Sequence, residues 1–397
     1  MSMLRLRQAA PALLIAMGLL ALSACGGTEY PNSTFNHTSD LNTAIDGLWD
    51  KLLFWGTIVF VVVEAALVFT MIKFRKRPGG PAAKPIHGNV ALEITWTAIP
   101  AVILVLIAIP TVRTIFQTQA PAPAGALTIE VTGRQWWWEF HYPEYGVTTA
   151  NEVYVPVGRP ANFVLKTIDV LHSFWIPQLG GKRDLITNKT NYLWFTPNAD
   201  LGTQAFNGFC TEYCGASHAN MRIRLFTVQP DEFESWARHQ ATVAAPFRPD
   251  SLGVSTGYVF PKEQLPAHVV PQTPFPAGLT YDDALLAQGD AARGQQLFIN
   301  CIACHAVAGN GFPAMPIAIG PNLTHVASRH TIASGLFPNE PNALARWIKN
   351  AKAMKPGALM NTFGNGEYDP ILKRPVTQGG LSDQQIADLV AYLQTLK

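Results

Sequence analysis

Two apolar segments near the amino terminus constrain this chain most strongly, because each is long enough to cross a lipid bilayer. They cover residues 52–72 and 94–112, and their one ionisable side chain is Glu64. About 20 apolar residues span the hydrocarbon core. Buried helices of a soluble protein are the alternative. We predict a two-helix transmembrane hairpin over about 50–73 and 93–115.

The sequence around this hairpin predicts its orientation. Residues 1–24 resemble a bacterial lipoprotein signal peptide, with Leu-Ser-Ala before Cys25, so cleavage there and a lipid on the Cys25 sulfur are expected. An ordinary signal peptide that leaves a free thiol is the alternative. The short loop after the first segment is basic, which makes it cytoplasmic by the positive-inside rule. Both termini and the sequence after the hairpin are then expected on the periplasmic face of the inner membrane.

Composition and charge limit the classes of function. Of 397 residues, 48% are hydrophobic and 14% are charged, so part of the chain lies in lipid and a larger part folds in water. The 29 Lys and Arg residues nearly balance the 27 Asp and Glu residues, which gives a formal net charge of +2. Proteins that grip a phosphate backbone carry a basic excess. We therefore expect no nucleic-acid partner.

Three regions follow the N-terminal segment and hairpin, which we assign to residues 25–120. Short alternating runs over 121–230, separated by Gly, Pro and Asn, predict an antiparallel β sandwich. Residues 231–280 are rich in Pro and Ala and predict a semi-extended linker. Residues 281–397 predict an all-α domain, because apolar residues recur at helical spacing. Its candidate helices are 282–299, 342–353 and 382–396, the last with a capping box of Ser382 and Gln385.

The first set of candidate metal ligands is Cys210, Cys214, His218 and Met221, with His172 upstream. Two thiolates, two imidazoles and a thioether form a soft ligand set that suits copper. Two bridging thiolates can hold two copper ions close enough to share one electron. The alternative is a structural zinc site formed by both Cys and both His residues, although zinc makes little use of a thioether.

The spacing Cys-x3-Cys-x3-His-x2-Met closely resembles cytochrome c oxidase subunit II and its binuclear CuA centre. The segments 169–177, 133–138 and 92–100 carry the same resemblance, which covers about 40–230 and implies a cupredoxin-like β sandwich. The family also implies that the Glu212 side chain reaches a magnesium ion shared with subunit I. This resemblance implies that Cys210 and Cys214 bridge the two copper ions. It also implies that His172 and His218 are terminal ligands, and that Met221 and the Glu212 backbone carbonyl are weak axial ligands.

Two more residues take roles from the resemblance. Trp136 matches a tryptophan that passes electrons to the copper, and Glu93 matches a glutamate at the mouth of a proton path in subunit I. The family usually has His in place of Arg134 and Tyr in place of Trp137. The simpler interpretation of the Trp-Trp-Trp triplet is packing in the sandwich core. Side chains alternate between the faces of a strand, so all three cannot be core residues.

The second set of candidate ligands is Cys301, Cys304 and His305, a c-type haem attachment sequence. Two thiols add to the haem vinyl groups, and the histidine takes one axial position. A redox or zinc Cys-x2-Cys site is the alternative. The region resembles a class I cytochrome c, and Met360 best matches that family's sixth iron ligand. The other candidates for the sixth ligand are Met315, Met354, His325 and His330.

Together these features predict subunit II of a caa-type haem-copper cytochrome c oxidase. Electrons from a soluble or membrane-bound cytochrome c-type donor would reach the haem, then the copper pair, then subunit I, where O2 is reduced to water with proton pumping. Subunits I and III are the expected membrane partners. The alternatives are an electron-transfer subunit of a CuA-dependent nitric oxide reductase or other denitrification enzyme, and a metal-storage lipoprotein. A quinol-oxidase subunit is disfavoured because the copper ligands are all present.

Overall fold

Two long helices open the part of the chain that this computed structural model describes, which comprises residues 30–76, 78–80, 85, 87–243, 257–308 and 319–397. Helix α1 covers Asp40–Lys73 and helix α2 covers Val90–Gln119. Both are long and apolar enough to cross a membrane, as the two apolar segments predict. The predicted signal peptide and the lipidation site at Cys25 lie outside the described residues.

Helix α1 begins well before the predicted span because its first turns pack on the β domain. Ser39 caps the helix by accepting a hydrogen bond from the Asn42 backbone N–H at 3.1 Å. The same hydroxyl donates to Leu179 O over 2.6 Å, and Leu41 is 3% exposed in the β-domain core. The first turns of α1 therefore belong to the packing of the β domain, which apolar length alone could not predict.

Ten strands in the described residues form two five-stranded sheets. In chain order, strands β1 to β10 are Leu127–Arg134, Trp137–Tyr142, Val147–Ala150, Glu152–Pro156, Ala161–Thr167, His172–Trp175, Arg183–Leu185, Asn191–Phe195, Gln204–Cys210 and Arg222–Val228. One sheet has the order β3-β2-β1-β5-β8 and the other has the order β4-β10-β9-β6-β7. Buried side chains alternate along β1, where Leu127, Ile129 and Val131 are fully buried. The predicted cupredoxin-like β sandwich is confirmed.

The pairing within the sandwich is mixed rather than purely antiparallel. Strand β1 pairs with β5 in parallel, and β10 pairs with β4 in parallel. The remaining described pairs of the two sheets are antiparallel. Alternation of side chains fixes which face of a strand is buried, but it carries no information about which distant strand becomes its neighbour. The two parallel pairs are therefore a correction that only the tertiary structure supplies.

The predicted linker over 231–280 begins with a helix instead of an extended segment. Helix α3 covers Pro230–Gln240 and has a capping box at its start. Phe233 and Trp236 are 1% and 3% exposed and join the core of the β sandwich. Further along, Phe260 joins the same core. Leu279, near the end of the segment, joins the apolar core of the last region instead. The described parts of this segment therefore pack on the two flanking cores, because their large apolar side chains outweigh the Pro and Ala content.

The last region has its own apolar core. Its helices α4 to α7 are Ala291–Leu297, Pro341–Lys349, Ala351–Met354 and Asp383–Leu393. Two short hairpins add strands β11 to β14 at Thr331–Ile332, Phe337–Pro338, Tyr368–Asp369 and Arg374–Pro375. Helices α4 and α7 cross closely at Gly294, where a Cβ atom would lie 1.9 Å from Asp388 O. The predicted helical domain is confirmed, with these two small hairpins added.

The helices of this domain are shorter than the apolar spacing predicts. The candidate helix over 282–299 divides into a 3-10 turn, α4 and a second 3-10 turn. Asp290 starts α4 by accepting hydrogen bonds from the backbone N–H groups of Ala292 and Arg293. The predicted capping box at Ser382 is present on α7. Local polar caps therefore set the helix ends that periodicity leaves open.

Candidate metal centre and haem-binding site

The loop between β9 and β10 carries most of the predicted copper ligands. It runs from Cys210 at the end of β9, through a 3-10 turn at His218–Asn220, to the start of β10. The backbone N–H of Cys210 donates to Met221 O over 3.1 Å and closes the base of the loop. His172 begins β6, and the pairing of β6 with β9 puts Phe174 opposite Cys210. Strand register therefore brings the distant histidine to the loop.

Four side chains form a continuous row of nitrogen and sulfur atoms. The Sγ atoms of Cys210 and Cys214 are 3.7 Å apart. His172 Nδ1 lies 3.8 Å from the Cys210 sulfur, and His218 Nδ1 lies 3.6 Å from the Cys214 sulfur. Each thiol therefore has an imidazole of its own. A centre in which two thiolates bridge two metal ions requires this order of ligands.

The same row does not suit a single zinc ion. Tetrahedral zinc has Zn–S and Zn–N bonds of about 2.3 and 2.1 Å, which puts its ligand atoms about 3.5 Å from one another. The ligand atoms of His172, Cys210 and Cys214 lie within 4.8 Å of one another, but His218 does not join that group. One ion could not bind both imidazoles without movement of the loop.

Two weaker donors lie at the same cluster. Met221 Sδ is 3.9 Å from Cys214 Sγ, and the backbone carbonyl oxygen of Glu212 is 3.3 Å from Cys210 Sγ. Both thiols and the thioether are buried, so water has little access to them. All six groups that the sequence predicts are thus adjacent. Their chemistry, with two thiols, two imidazoles, a thioether and a carbonyl, fits a copper pair.

Hydrogen bonds among these groups shift their pKa values. The bond between the two thiols lowers the pKa of Cys210 to about 4 and raises the pKa of Cys214. Burial alone would lower the pKa of His172, but hydrogen bonds to Asp169 and Cys210 raise it. A bound cation would favour the thiolate form of both cysteines, because a metal ion deprotonates a coordinating thiol outright.

Two residues without a predicted role hold the His172 ring. Asp169 Oδ1 lies 2.8 Å from His172 Nε2, which turns Nδ1 toward the thiols. A carboxylate behind a ligating histidine fixes the ring and raises its basicity. A Cβ atom at Gly133 would lie 2.7 Å from His172 Cδ2, so the ring fits only against a glycine. Both residues lie in the segments that carry the family resemblance, 133–138 and 169–177, so that resemblance could have pointed to their role.

Trp136 lies in the turn between β1 and β2. It packs on the loop between β9 and β10, which we call the copper loop. The expectation that the tryptophan triplet alternates along a strand is therefore wrong for this residue. Trp137 and Trp138 are both buried in β2, and the Arg134 guanidinium covers the Trp137 ring at 5.2 Å. Trp136 Nε1 donates to Cys214 O over 2.9 Å. The indole thus contacts the backbone of a predicted copper ligand.

The haem attachment residues form one helical turn with an oriented histidine. His305 N–H donates to Cys301 O over 2.9 Å, and Cys304 lies between them in the same turn. His305 Nδ1 bonds Pro321 O at 2.8 Å, which leaves Nε2 free to coordinate iron. Burial lowers the pKa of His305, so the ring stays neutral and can act as a ligand. A Cβ atom at Gly320 would lie 2.6 Å from this ring. The arrangement fits a covalent haem.

Met360 is the predicted sixth iron ligand and lies among the described residues. It is half-buried in the loop after α6 and packs against the same apolar core as Cys301. Met354 is a buried core residue on α6. His325 bonds Thr242 O at 3.0 Å, and the His330 ring packs against two phenylalanine rings of the β-domain core. Met315 lies outside the described residues.

The cytochrome-like region covers Trp136, a contact that the sequence did not predict. A Cβ atom at Gly357, which has a φ of +85°, would lie 2.8 Å from Trp136 Cζ3. The Lys355 ammonium donates to Trp136 O over 2.5 Å. Burial lowers the pKa of Lys355 to about 7. Ser217 on the copper loop also donates to Pro356 O. The segment 355–357, which leads to Met360, therefore packs directly on the copper loop and its tryptophan.

Comparison with known proteins identifies the family. The family model for the transmembrane domain of cytochrome c oxidase subunit II matches residues 33–114, and that for its periplasmic domain matches 146–228. The model for cytochrome c matches 291–397. Cytochrome c oxidase subunit 2 of Alkalihalophilus pseudofirmus is 34% identical over 348 residues, which cover 86% of this chain and 83% of the relative. The chain belongs to the cytochrome c oxidase subunit II family.

Two further relatives show how far along the chain the similarity extends. The Bacillus subtilis cytochrome c oxidase subunit 2 is 30% identical over 405 residues, which cover 97% of each chain. A probable cytochrome c oxidase subunit 2 of Rickettsia bellii is 34% identical over 217 residues, which cover 49% of this chain and 79% of the relative. The chain is thus an oxidase subunit II with a fused cytochrome c domain, which implies both CuA and haem. This membership decides against the metal-storage and denitrification alternatives.

The two acidic residues that the family resemblance singles out are both exposed. Glu93 lies in the first turn of α2, near the loop that joins the two spans. Asn89 is the cap of this helix, because its side chain accepts from the Leu92 backbone N–H at 3.1 Å. Glu93 is therefore not needed as a cap. The Glu212 side chain is exposed on the copper loop.

Proposed function

We propose that this subunit II accepts electrons from a c-type cytochrome donor at its cytochrome domain and passes them through its CuA site to oxidase subunit I, where O2 is reduced to water with proton pumping. When bound, the haem and the copper pair would each carry one electron at a time. The chain's own residues hold both groups, orient their ligands and exclude water. Protein groups would supply the ligands of the copper pair, so a substrate would find no open coordination position there.

The single observation that supports this proposal best is the order of the ligand atoms at the copper loop. Cys210 and Cys214 would bridge the two metal ions, while His172 and His218 would each bind one. Met221 and the Glu212 carbonyl would be the weak axial ligands. A rigid ligand row suits electron transfer because the protein need not rearrange between redox states. Cys301, Cys304 and His305 would attach and ligate the haem, with Met360 as the sixth ligand.

Metal and haem analysis of the purified full-length chain tests the proposal. We expect two copper ions and one haem per chain, with the haem retained on acid–acetone extraction because thioether bonds hold it. The matched control is the double variant Cys301→Ser/Cys304→Ser, which should keep both coppers and lose the covalent haem. Zinc in place of copper, or haem that acid–acetone extracts from the wild type, would contradict the proposal.

The proposal includes an orientation and a set of partners. The basic loop would face the cytoplasm, so that both termini, the copper domain and the cytochrome domain face the periplasm. Subunit I would pack against the apolar hairpin, with subunit III beside it. The exposed Glu212 carboxylate would share a magnesium ion with subunit I, because carboxylates are the ligands that Mg²⁺ prefers. Trp136 would pass electrons to the copper through its contact with the copper loop.

Glu93 would collect protons for subunit I, at the membrane face opposite the copper. We expect Glu93→Gln to slow steady oxygen consumption by the assembled oxidase, because the variant removes both the charge and the proton-relay group. Reduction of the haem and of the copper should stay at the wild-type rate in stopped-flow spectra. The matched control is Asn89→Ala, which removes the helix cap at about 1 kcal/mol but keeps the carboxylate. Slow turnover in Asn89→Ala, or wild-type turnover in Glu93→Gln, would refute the proton role.

A further inference from the structure

We infer that Lys355 and Ser334 of the cytochrome domain are positioning residues for electron transfer, because they fasten that domain to the backbone carbonyl of Trp136. This inference rests on the proposed function and extends it to the contact between the two domains. Lys355 Nζ donates to Trp136 O over 2.5 Å and to Ser334 Oγ over 2.8 Å. The Ser334 hydroxyl in turn donates to Trp136 O over 2.8 Å. One carbonyl of the copper domain thus accepts two hydrogen bonds from the cytochrome domain.

The burial of Lys355 indicates that this contact has a purpose beyond packing. Lys355 is 4% exposed and Ser334 is 2% exposed. Among the described residues, Lys355 forms no ion pair with a carboxylate. A buried ammonium group is costly unless hydrogen bonds satisfy it, and an apolar side chain would pack at lower cost. All of its oxygen partners lie at the junction of the two domains, so its hydrogen bonds act on docking.

The turn that presents Ser334 is held in an unusual conformation. Ala333, Ser334 and Gly335 have φ values of 54°, 62° and 74°, in the left-handed region that favours glycine. Non-glycine residues keep such values only where their surroundings enforce them. Here the Arg222 backbone N–H donates to Ser334 O over 3.3 Å, and Arg224 Nη2 donates to Gly335 O over 3.0 Å. The β domain therefore holds the turn through hydrogen bonds to its backbone carbonyls, while the Ser334 hydroxyl donates to Trp136 O.

The anchored carbonyl matters because of what the Trp136 ring contacts. One edge of the indole donates to Cys214 O over 2.9 Å, and the opposite edge packs against Gly357. Gly357 lies in the loop that ends at Met360, the proposed iron ligand. The ring therefore bridges the copper loop and the loop that ends at Met360. Electron transfer through protein slows steeply with distance, so loss of the anchor should slow transfer between the two sites.

The test uses the assembled oxidase carrying Lys355→Met together with Ser334→Ala. Both anchors of the Trp136 carbonyl are then lost while the ligands of both sites remain. We expect copper reduction by the haem to slow roughly tenfold or more, because a buried carbonyl is left without its donors and the docked state is disfavoured. Haem reduction by the external donor should stay unchanged. Backbone amides over 329–337 should exchange hydrogen faster, which reports docking without any electron transfer.

The controls separate this inference from the proposed function. Lys373→Met removes a charge from an exposed site of the same domain and should leave both rates at wild type. If the double variant does not assemble, Lys355→Met alone should slow copper reduction less, because Ser334 still donates to Trp136. Wild-type copper reduction in a variant that holds both coppers and the haem would overturn this inference alone. Absence of copper or haem from the wild-type chain would overturn the proposed function, and this inference with it.

Discussion

Replacing Cys214 with serine is expected to remove the copper pair and to lower oxygen consumption by the assembled oxidase more than roughly 100-fold. Mutation of a residue that only orients a metal ligand already lowers metal affinity or activity about 10–100-fold, and loss of a ligand should cost more. Cys214 contacts three other predicted ligands, with sulfur-to-ligand distances of 3.7 Å to Cys210, 3.6 Å to His218 and 3.9 Å to Met221. A hydroxyl is too hard and too weakly acidic to bridge two copper ions. Metal analysis and oxygen-electrode rates measure both effects.

The haem provides an internal control for the Cys214→Ser variant. Cys301 and Met360 pack against a separate apolar core, so the external donor should still reduce the haem at the wild-type rate. The matched substitution Ala219→Ser adds a hydroxyl at an exposed position of the same loop and should keep both coppers. Two bound coppers and normal turnover in Cys214→Ser would show that this thiol is not a bridging ligand.

Replacing Met360 with leucine is expected to abolish the Met–iron absorption band and to lower the haem potential, because a thioether ligand favours the reduced iron. Each fall of about 59 mV makes reduction by a fixed donor about tenfold less favourable. Steady oxygen consumption should therefore fall at the step that reduces the haem. Met360→His should restore six-coordinate iron at a lower potential still. Redox titration of the haem spectrum measures the change.

Met354→Leu is the matched control for this substitution. Met354 is 5% exposed in the core of the cytochrome domain, and a Met-to-Leu exchange of similar volume usually costs less than about 1.5 kcal/mol. This variant should keep both the band and the potential. If Met360→Leu keeps the Met–iron band and another variant loses it, then Met354 or Met315 is the true ligand.

The candidate ligands that the sequence alone groups together are near neighbours in the chain. Cys210, Cys214 and His218 share one loop, and Cys301, Cys304 and His305 share one helical turn. Ligand spacing within such short segments is set by local backbone geometry, so residue types and intervals carry the information. The same holds for the two spans, because their length and apolar character are properties of single segments.

Sequence patterns predict less well where a helix begins or ends when that boundary depends on packing against a distant segment. Helix α3 at Pro230–Gln240 lies where the Pro and Ala content predicts an extended linker. Its Phe233 and Trp236 side chains are buried by a sheet that is distant in sequence, and composition does not record that burial. Helix α1 starts before the predicted span for the same reason, since contact with the β domain orders its first turns.

Local patterns are enough to predict the membrane hairpin, the two ligand motifs and the order of the regions, because each depends on residues close together in the chain. The fold supplies the features that depend on distant segments. It set the two parallel strand pairs, the approach of His172 to the copper loop along β6, and Asp169 as the group that orients that ring. It also brought Lys355 and Gly357 onto Trp136. These contacts arise from the docking of two separate cores, and no local spacing encodes which surfaces of two folded cores will meet.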